Sequence, residues 1–373
     1  MQSTIDRTLS PETLFNMARQ HQSQGRLEEA QGFYEELLKQ APGHSQSFIM
    51  LGSISFQSGD DVQAAAYLDR AIEVLRNDLV NFPGHYGAQA TLTNLLFARQ
   101  QSAEAQELAA GLQFPINPIR ASQEEFLARM TAGRDRGIPL LLINTVPKSA
   151  SESIWNQLAE GLGIAQGHLS IAVYPDCCLI PDRLRSAQGG GLIAKEHIPA
   201  TPFNLQVLRD HGVTRLIFHV RDPRQVALSW AHFVRDDVSM RMMGPIWRKI
   251  VPPADVLKAG DEGLIDWCIA RFLPSLLDFI GGWWRVAQDP QSGLAVTFLS
   301  FEQFLDNPQG YMDQALAALG VDKSLYDASA QGETIHLRKG QTEEWREAFT
   351  KKQKAAAWEA LPKELRNAFG WKK

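Results

Sequence analysis

Two patterns of apolar and polar positions divide this chain. Through the first 110 or so residues, apolar and small positions repeat at fixed intervals. An offset of 34 sets Met17 on Leu51, Ala18 on Gly52, Gly25 on Gly59, Ala30 on Ala64 and Tyr34 on Leu68. An offset of 41 sets Pro42-Gly-His44 on Pro83-Gly-His85, Leu51 on Leu92 and Ala64 on Ala105. The seven-residue difference between the offsets predicts about two extra helical turns within residues 71–81. Phe114-Pro-Ile-Asn-Pro118 breaks the repetition and predicts a linker, followed by a bridging helix over residues 122–131. Beyond it, short apolar runs at 140–145, 191–195, 215–220 and 294–299 alternate with helical stretches. Such alternation predicts a mostly parallel sheet covered on both faces. Each run ends in polar or charged residues, where ligands of these sheets sit.

The 34-residue interval resembles the tetratricopeptide unit, two antiparallel helices with small residues where they cross. The expected fold is therefore α/β, a P-loop-like, mostly parallel sheet flanked by helices, preceded by an all-α tetratricopeptide-like domain. Its expected divisions are repeats over 1–112, a linker and bridging helix over 113–137, and the sheet domain over 138–373. Repeats of this kind leave faces uncovered, so the stack is expected to pack on the sheet domain or to hold a protein partner.

Composition narrows the chemistry. A net charge of −5 argues against a general nucleic-acid binder, so any anion site must be a local basic pocket. Three cysteines without metal-ligand spacing support neither a disulfide framework nor a zinc site. They predict small core residues. No run approaches the roughly 20 apolar residues of a membrane helix, and the N-terminus has no signal-like apolar core. A cytoplasmic protein is the expectation.

The most informative stretch is Leu140-Leu-Leu-Ile-Asn-Thr-Val-Pro-Lys-Ser-Ala-Ser-Glu-Ser153. It reads as a buried strand opening through small residues onto a helix expected over 153–162. Backbone N–H groups converge at such a junction, the helix dipole favours negative charge, and Lys148 adds a full charge. The glycines of the nucleotide-triphosphatase loop are missing. At other strand ends stand His197, in Lys195-Glu-His-Ile-Pro199, and Arg221, with Ser229 two helical turns further on. Arg338-Lys339-Gly340 precedes a helix near the C-terminus. Guanidinium groups and backbone donors suit a doubly charged phosphate.

These segments, in this order, resemble a sulfotransferase that uses 3′-phosphoadenosine 5′-phosphosulfate, over about residues 138–350. Pro147-Lys148-Ser149-Ala150-Ser151 is similar to the family's 5′-phosphosulfate loop. The resemblance implies donor binding by Lys148, Ser149, Ala150, Ser151, Glu152 and Ser153. It also implies 3′-phosphate binding by Arg221 and Ser229, and closure over the nucleotide by Arg338, Lys339 and Gly340 ahead of Trp345. His197 would be the base, Lys148 would stabilise the leaving oxygen, and Lys195 would hold a sulfuryl oxygen. No metal is expected, and 3′-phosphoadenosine 5′-phosphate would be the product. Departures stand out. Ala150 replaces a glycine, Glu152 puts a carboxylate where the family has threonine, and Ser153 stands where the cytosolic enzymes stack a tryptophan on adenine. Glu343-Glu344 replaces Gly-Asp before Trp345. Trp155 cannot be assumed to take over the stacking, and the Trp-rich helix expected over 266–286 is assigned to packing. The acceptor stays open among a glycan, a lipid-linked sugar, a peptide or a small alcohol, in a pocket expected from residues 165–190 and 236–263. The departures also keep alive a catalytically decayed scaffold that works through its repeats.

Overall fold

The computed structural model describes residues 9–237, 240, 244, 246, 249–330 and 341–373. The chain divides into two compact units, Met1–Leu108 with Ala231–Trp267, and Ala109–Trp230 with Cys268–Lys373. Residues 231–267 fall inside the segment expected to form one domain with the sheet. They group instead with the repeats, where the helix Ala254–Lys258 packs on the helix Ser45–Ser58.

The repeats are successive helix pairs: Pro11–Ser23 with Leu27–Gln40, Ser45–Ser58 with Asp61–Asn81, then Tyr86–Ala98 followed by Ser102–Gly111. Their sequence periodicity has a packing cause. Ala18, Ala30 and Ala105 are wholly buried, and a methyl on Gly52 would come within 3.2 Å of the Ala64 carbonyl. Gly59 ends its helix in the left-handed conformation at φ 86°, and Gly25, its counterpart one repeat earlier, has φ 76°. Glycine adopts that conformation without the steric penalty of a Cβ. The helix Asp61–Asn81 has 21 residues against 14 in Leu27–Gln40, so the seven-residue insertion is helical, as the two offsets require.

In the other unit five strands run parallel: β1 Leu141–Thr145, β2 Ala165–Gly167, β5 Leu192–Glu196, β6 Arg215–Val220 and β7 Ala295–Ser300. A separate antiparallel pair joins β3 Ser170–Ile171 to β4 Cys178–Leu179. The sheet order is β2-β5-β1-β6-β7. After β1 the chain builds one side of the sheet and then crosses to the other, which opens a crevice beyond the C-terminal end of β1. Alternation along the strands sorts the core. Leu141, Ile143, Ile193, Ile217 and Leu299 join one buried cluster with Ile154 and Leu158 of the helix Ser151–Leu162 and Leu316 of Pro308–Leu319. Phe218 belongs to the opposite face, with ring centroids 5.2 Å from Phe279 and 5.1 Å from Phe298.

Three expectations change. The helix after the loop starts at Ser151 rather than at 153. Residues 165–190, expected to line the acceptor pocket, contribute the edge strand β2, three residues without an apolar run. The helix expected over 266–286 is Gly260–Trp267, a π-helical turn Cys268–Phe272 and Leu273–Gln288. Pro274 lies in the first turn after the π segment and has no N–H for the carbonyl of Ala270, which favours the wider turn. Cys177, Cys178 and Cys268 are buried free thiols. No helix among the described residues is long and apolar enough to cross a membrane.

Candidate functional site

The loop after β1 is fixed from behind by two side chains on β6 and just beyond it. His219, fully buried, donates from Nε2 to the Ser149 carbonyl at 2.8 Å, and its Nδ1 accepts from the Tyr311 hydroxyl at 2.8 Å. Burial pushes its pKa down to about 4, which keeps the ring neutral and leaves it one donor and one acceptor. Arg221 donates from Nη1 to the Lys148 carbonyl at 2.8 Å and from Nη2 to the Gln341 carbonyl at 2.7 Å. Its guanidinium lies 4.1 Å from the centre of the Phe301 ring. With these carbonyls held, Lys148 and Ala150 take left-handed conformations at φ 58° and 62° on either side of Ser149. Alternating handedness brings successive N–H groups to one side, the arrangement of an anion nest. Ala150 thus keeps the backbone conformation that a glycine would adopt freely, at a cost of about 1–2 kcal/mol for its Cβ. Ser149 is buried with its hydroxyl on the Val146 carbonyl at 2.7 Å, and Ser151 and Ser153 are buried in the first helical turn.

His197 follows the last residue of β5. Its Nδ1 lies 2.6 Å from the Thr145 carbonyl, so that nitrogen carries the proton and Nε2 is left as the basic lone pair. Burial first, and the charge of Lys195 second, push its pKa down to about 4. A polar residue at the end of an otherwise apolar strand sets its position. The Asn144 amide donates to the Ile198 carbonyl at 2.9 Å and accepts from the Ile198 N–H at 2.9 Å. Trp283 Nε1 donates to the same carbonyl at 2.7 Å.

Lys195 is buried and its ammonium pairs with the Glu152 carboxylate. Arg120 stands 3.8 Å from the other Glu152 oxygen. Burial alone would raise the Glu152 pKa, but these cations outweigh it and hold the carboxyl below its ordinary range. The carboxylate that sequence set against the anion loop is therefore neutralised by the lysine expected to hold the sulfuryl group. Trp155 is buried with its Nε1 on the Ile193 carbonyl at 3.0 Å, and so offers no face to an adenine.

The remaining expected residues are less tightly gathered. Ser229 lies half-buried on the helix Pro223–Asp236 and, among the described residues, bonds to none of the others named here. Arg338, Lys339 and Gly340 lie outside the described residues. Trp345 is buried, its backbone N–H donating to the Gln225 side-chain oxygen at 3.2 Å and its ring 3.9 Å from the Arg224 guanidinium. Sequence reasoning missed Asn144 and Arg183 altogether, and it gave no part to His219, which carries the loop. For Asn144 and His219 the available signal was a polar residue within an apolar strand. Arg183 gave none.

Next to His197 opens a cavity of about 380 Å³, lined by Asn117, His168, Tyr174, Arg183, Lys195 and His197 among others. Most of this wall comes from residues 165–190, where the acceptor pocket was expected, whereas 236–263 belongs to the other unit. Among the described residues no cluster of His, Cys, Asp and Glu is arranged to hold a metal.

No family model matches the sequence, and no curated protein matches it. Among solved structures, a mouse sulfotransferase complexed with PAP matches at a TM-score of 0.42 and 16% identity, over 68% of this chain and 95% of that one. An O-GlcNAc transferase mutant from Thermobaculum terrenum matches at a TM-score of 0.24 and 13% identity, over 98% of each chain. Both scores lie below 0.5, so the sheet order and the loop carry the reading of the site, not these likenesses.

Proposed function

We propose that the chain transfers a sulfuryl group from 3′-phosphoadenosine 5′-phosphosulfate to a hydroxyl or amine acceptor. One observation carries this reading: a neutral imidazole, its Nε2 basic, stands at the end of the strand next to an anion-binding loop. The donor would supply an activated S–O bond. Lys148, Ser149, Ala150, Ser151, Glu152 and Ser153 would form its 5′ cradle, Arg221 and Ser229 would take the 3′-phosphate, and Arg338, Lys339 and Gly340 would close the site. The residues present suit such a group, because the one carboxylate of the cradle is already paired with Lys195.

His197 Nε2 takes the proton from the acceptor as the acceptor oxygen or nitrogen bonds to sulfur in line with the breaking S–O bond. Lys148 stabilises the negative charge that develops on the leaving oxygen, and 3′-phosphoadenosine 5′-phosphate is released. Lys195 reaches a sulfuryl oxygen from the same strand end by exchanging its bond to Glu152. The seat built for His197 from Asn144 and Trp283 favours this reading over a decayed scaffold, which has no use for an oriented base. The repeat unit remains a surface for a protein partner. In the test, radiolabelled donor is offered with a cell extract, and calorimetry follows binding of the nucleotide product. His197→Ala should bind the nucleotide as the natural protein does and transfer nothing; a fully active variant would end the assignment.

A further inference from the structure

The cavity beside His197 contains a cation for which the transfer chemistry has no task. Arg183, on the short helix Pro181–Ala187, lines the wall and is only 8% exposed. Its Nη1 donates to the carbonyls of His168 at 3.2 Å and Ser170 at 2.8 Å, and its guanidinium lies 5.2 Å from the Phe114 ring. Its Nε is buried and meets no acceptor among the described residues. Buried donors nearly always have a partner, and arginine cannot escape the cost by losing its proton. The Glu196 carboxylate acts on it across space, without a hydrogen bond between the two. Each Glu196 oxygen already accepts a bond, one from the Leu169 N–H and the other from the Ser170 hydroxyl, and the carboxylate stands 3.7 Å from His168 Nδ1. The rest of the wall includes Ile119, Val173 and Cys177, which offer an apolar body nothing but contact area.

We infer that this cavity selects a hydroxylated organic acid, its anionic end held by Arg183, its apolar body against Ile119 and Val173, and its hydroxyl turned to His197. The last of these contacts rests on the transferase reading; the anion site does not. A carboxylate docks on the guanidinium edge formed by Nε and the adjacent Nη through two parallel bonds; in Arg183 that Nε is closed to solvent, so the acid takes both bonds only as the side chain swings toward the cavity, and it then supplies the acceptor that Nε lacks. A cavity of about 380 Å³ is within the range that accommodates a single substituted ring.

The experiment uses the full chain and no nucleotide. Calorimetry compares para-hydroxyphenylacetate with its neutral isostere para-hydroxyphenylacetamide, so the outcome does not depend on donor binding. The acid should bind about tenfold more tightly, the difference of one charge-assisted contact. Arg183→Met should erase that preference, and Arg183→Lys should retain part of it. Equal affinity for acid and amide in the natural protein, binding of neither at millimolar concentration, or a preference that survives in a folded Arg183→Met protein would each overturn the site. If the methionine variant does not fold, the comparison in the natural protein still decides. Loss of the transferase reading would show separately, as no heat with 3′-phosphoadenosine 5′-phosphate.

Discussion

Glu152 sits in the first turn of the helix that follows the anion loop, and its bond to Lys195 gives that negative charge a place. From sequence alone the carboxylate opposes a phosphosulfate. Its partner, 43 positions away, becomes visible only when β5 is laid beside β1. Glu152→Gln should free Lys195 and tighten binding of 3′-phosphoadenosine 5′-phosphate by about threefold, the scale of a half-exposed ion pair. It should also lower the melting temperature slightly, because the helix loses a favourable charge at its N-terminus. Weaker nucleotide binding in calorimetry would show that the carboxylate helps the loop rather than guarding it. His197 makes a second prediction at this scale. With a pKa pushed down to about 4, its base form persists across the neutral range. The transfer rate should stay flat from about pH 8 to 5 and fall only as pH drops through about 4. A profile centred near 6.5 would place the imidazole in water.

Among the elements, those that were legible are the strands buried on both faces, since continuous apolar runs are what such strands require. β6 runs over the residues its sequence pattern marks, β1 starts one residue late, and β5 and β7 shift by one position. β2 was not legible, because Ala165-Gln-Gly167 has too little apolar character to register and is a strand only through its pairing with β5. The π-turn at Cys268–Phe272 was hidden for a different reason. Proline signals a break, but not which of several local solutions the chain takes. The loop's chemistry could be read from Lys148 and its small neighbours, while the scaffold under it could not, since a side chain bonded to a distant carbonyl leaves no local pattern. Asn144 is the sharpest case. Asn144→Ala removes both bonds to Ile198 in a buried position and should cost about 2–3 kcal/mol in thermal unfolding. The same change should reduce the transfer rate while leaving nucleotide affinity nearly unchanged, since no donor-loop contact is lost. A stable variant with full activity would mean that other contacts fix the base.

For the whole molecule, the buried histidines couple stability to acidity. His197 and His219 are both held near 4 in the fold, well below the ordinary 6.5 of an exposed imidazole. Between those values the unfolded chain binds more protons, so their contribution is fully present above about 6.5 and is lost as pH falls through about 4. Glu152 and Glu196, both held low, lose stability in the same direction as the medium becomes acidic. His168 opposes them, since Glu196 raises its pKa despite burial. The balance predicts a melting temperature that declines steadily from pH 6.5 to 4; a flat or rising curve would contradict the buried neutral state of the two rings. At this scale the repeat architecture was the most legible part of the chain. Glycines and alanines recur where helices touch, and the doubled offset gave the length of the helix Asp61–Asn81. The place of residues 231–267 was not, because grouping with the repeats depends on packing surfaces rather than on any local signature.

The Ile198 carbonyl, which accepts from both Asn144 and Trp283, has a use of its own. Two donors on one oxygen soften its stretching vibration, so isotopic labelling at this single carbon would separate its infrared band from the rest of the amide envelope. That band would act as a strain gauge for the imidazole one residue away, moving upward whenever a ligand or a substitution pulled the base off its support.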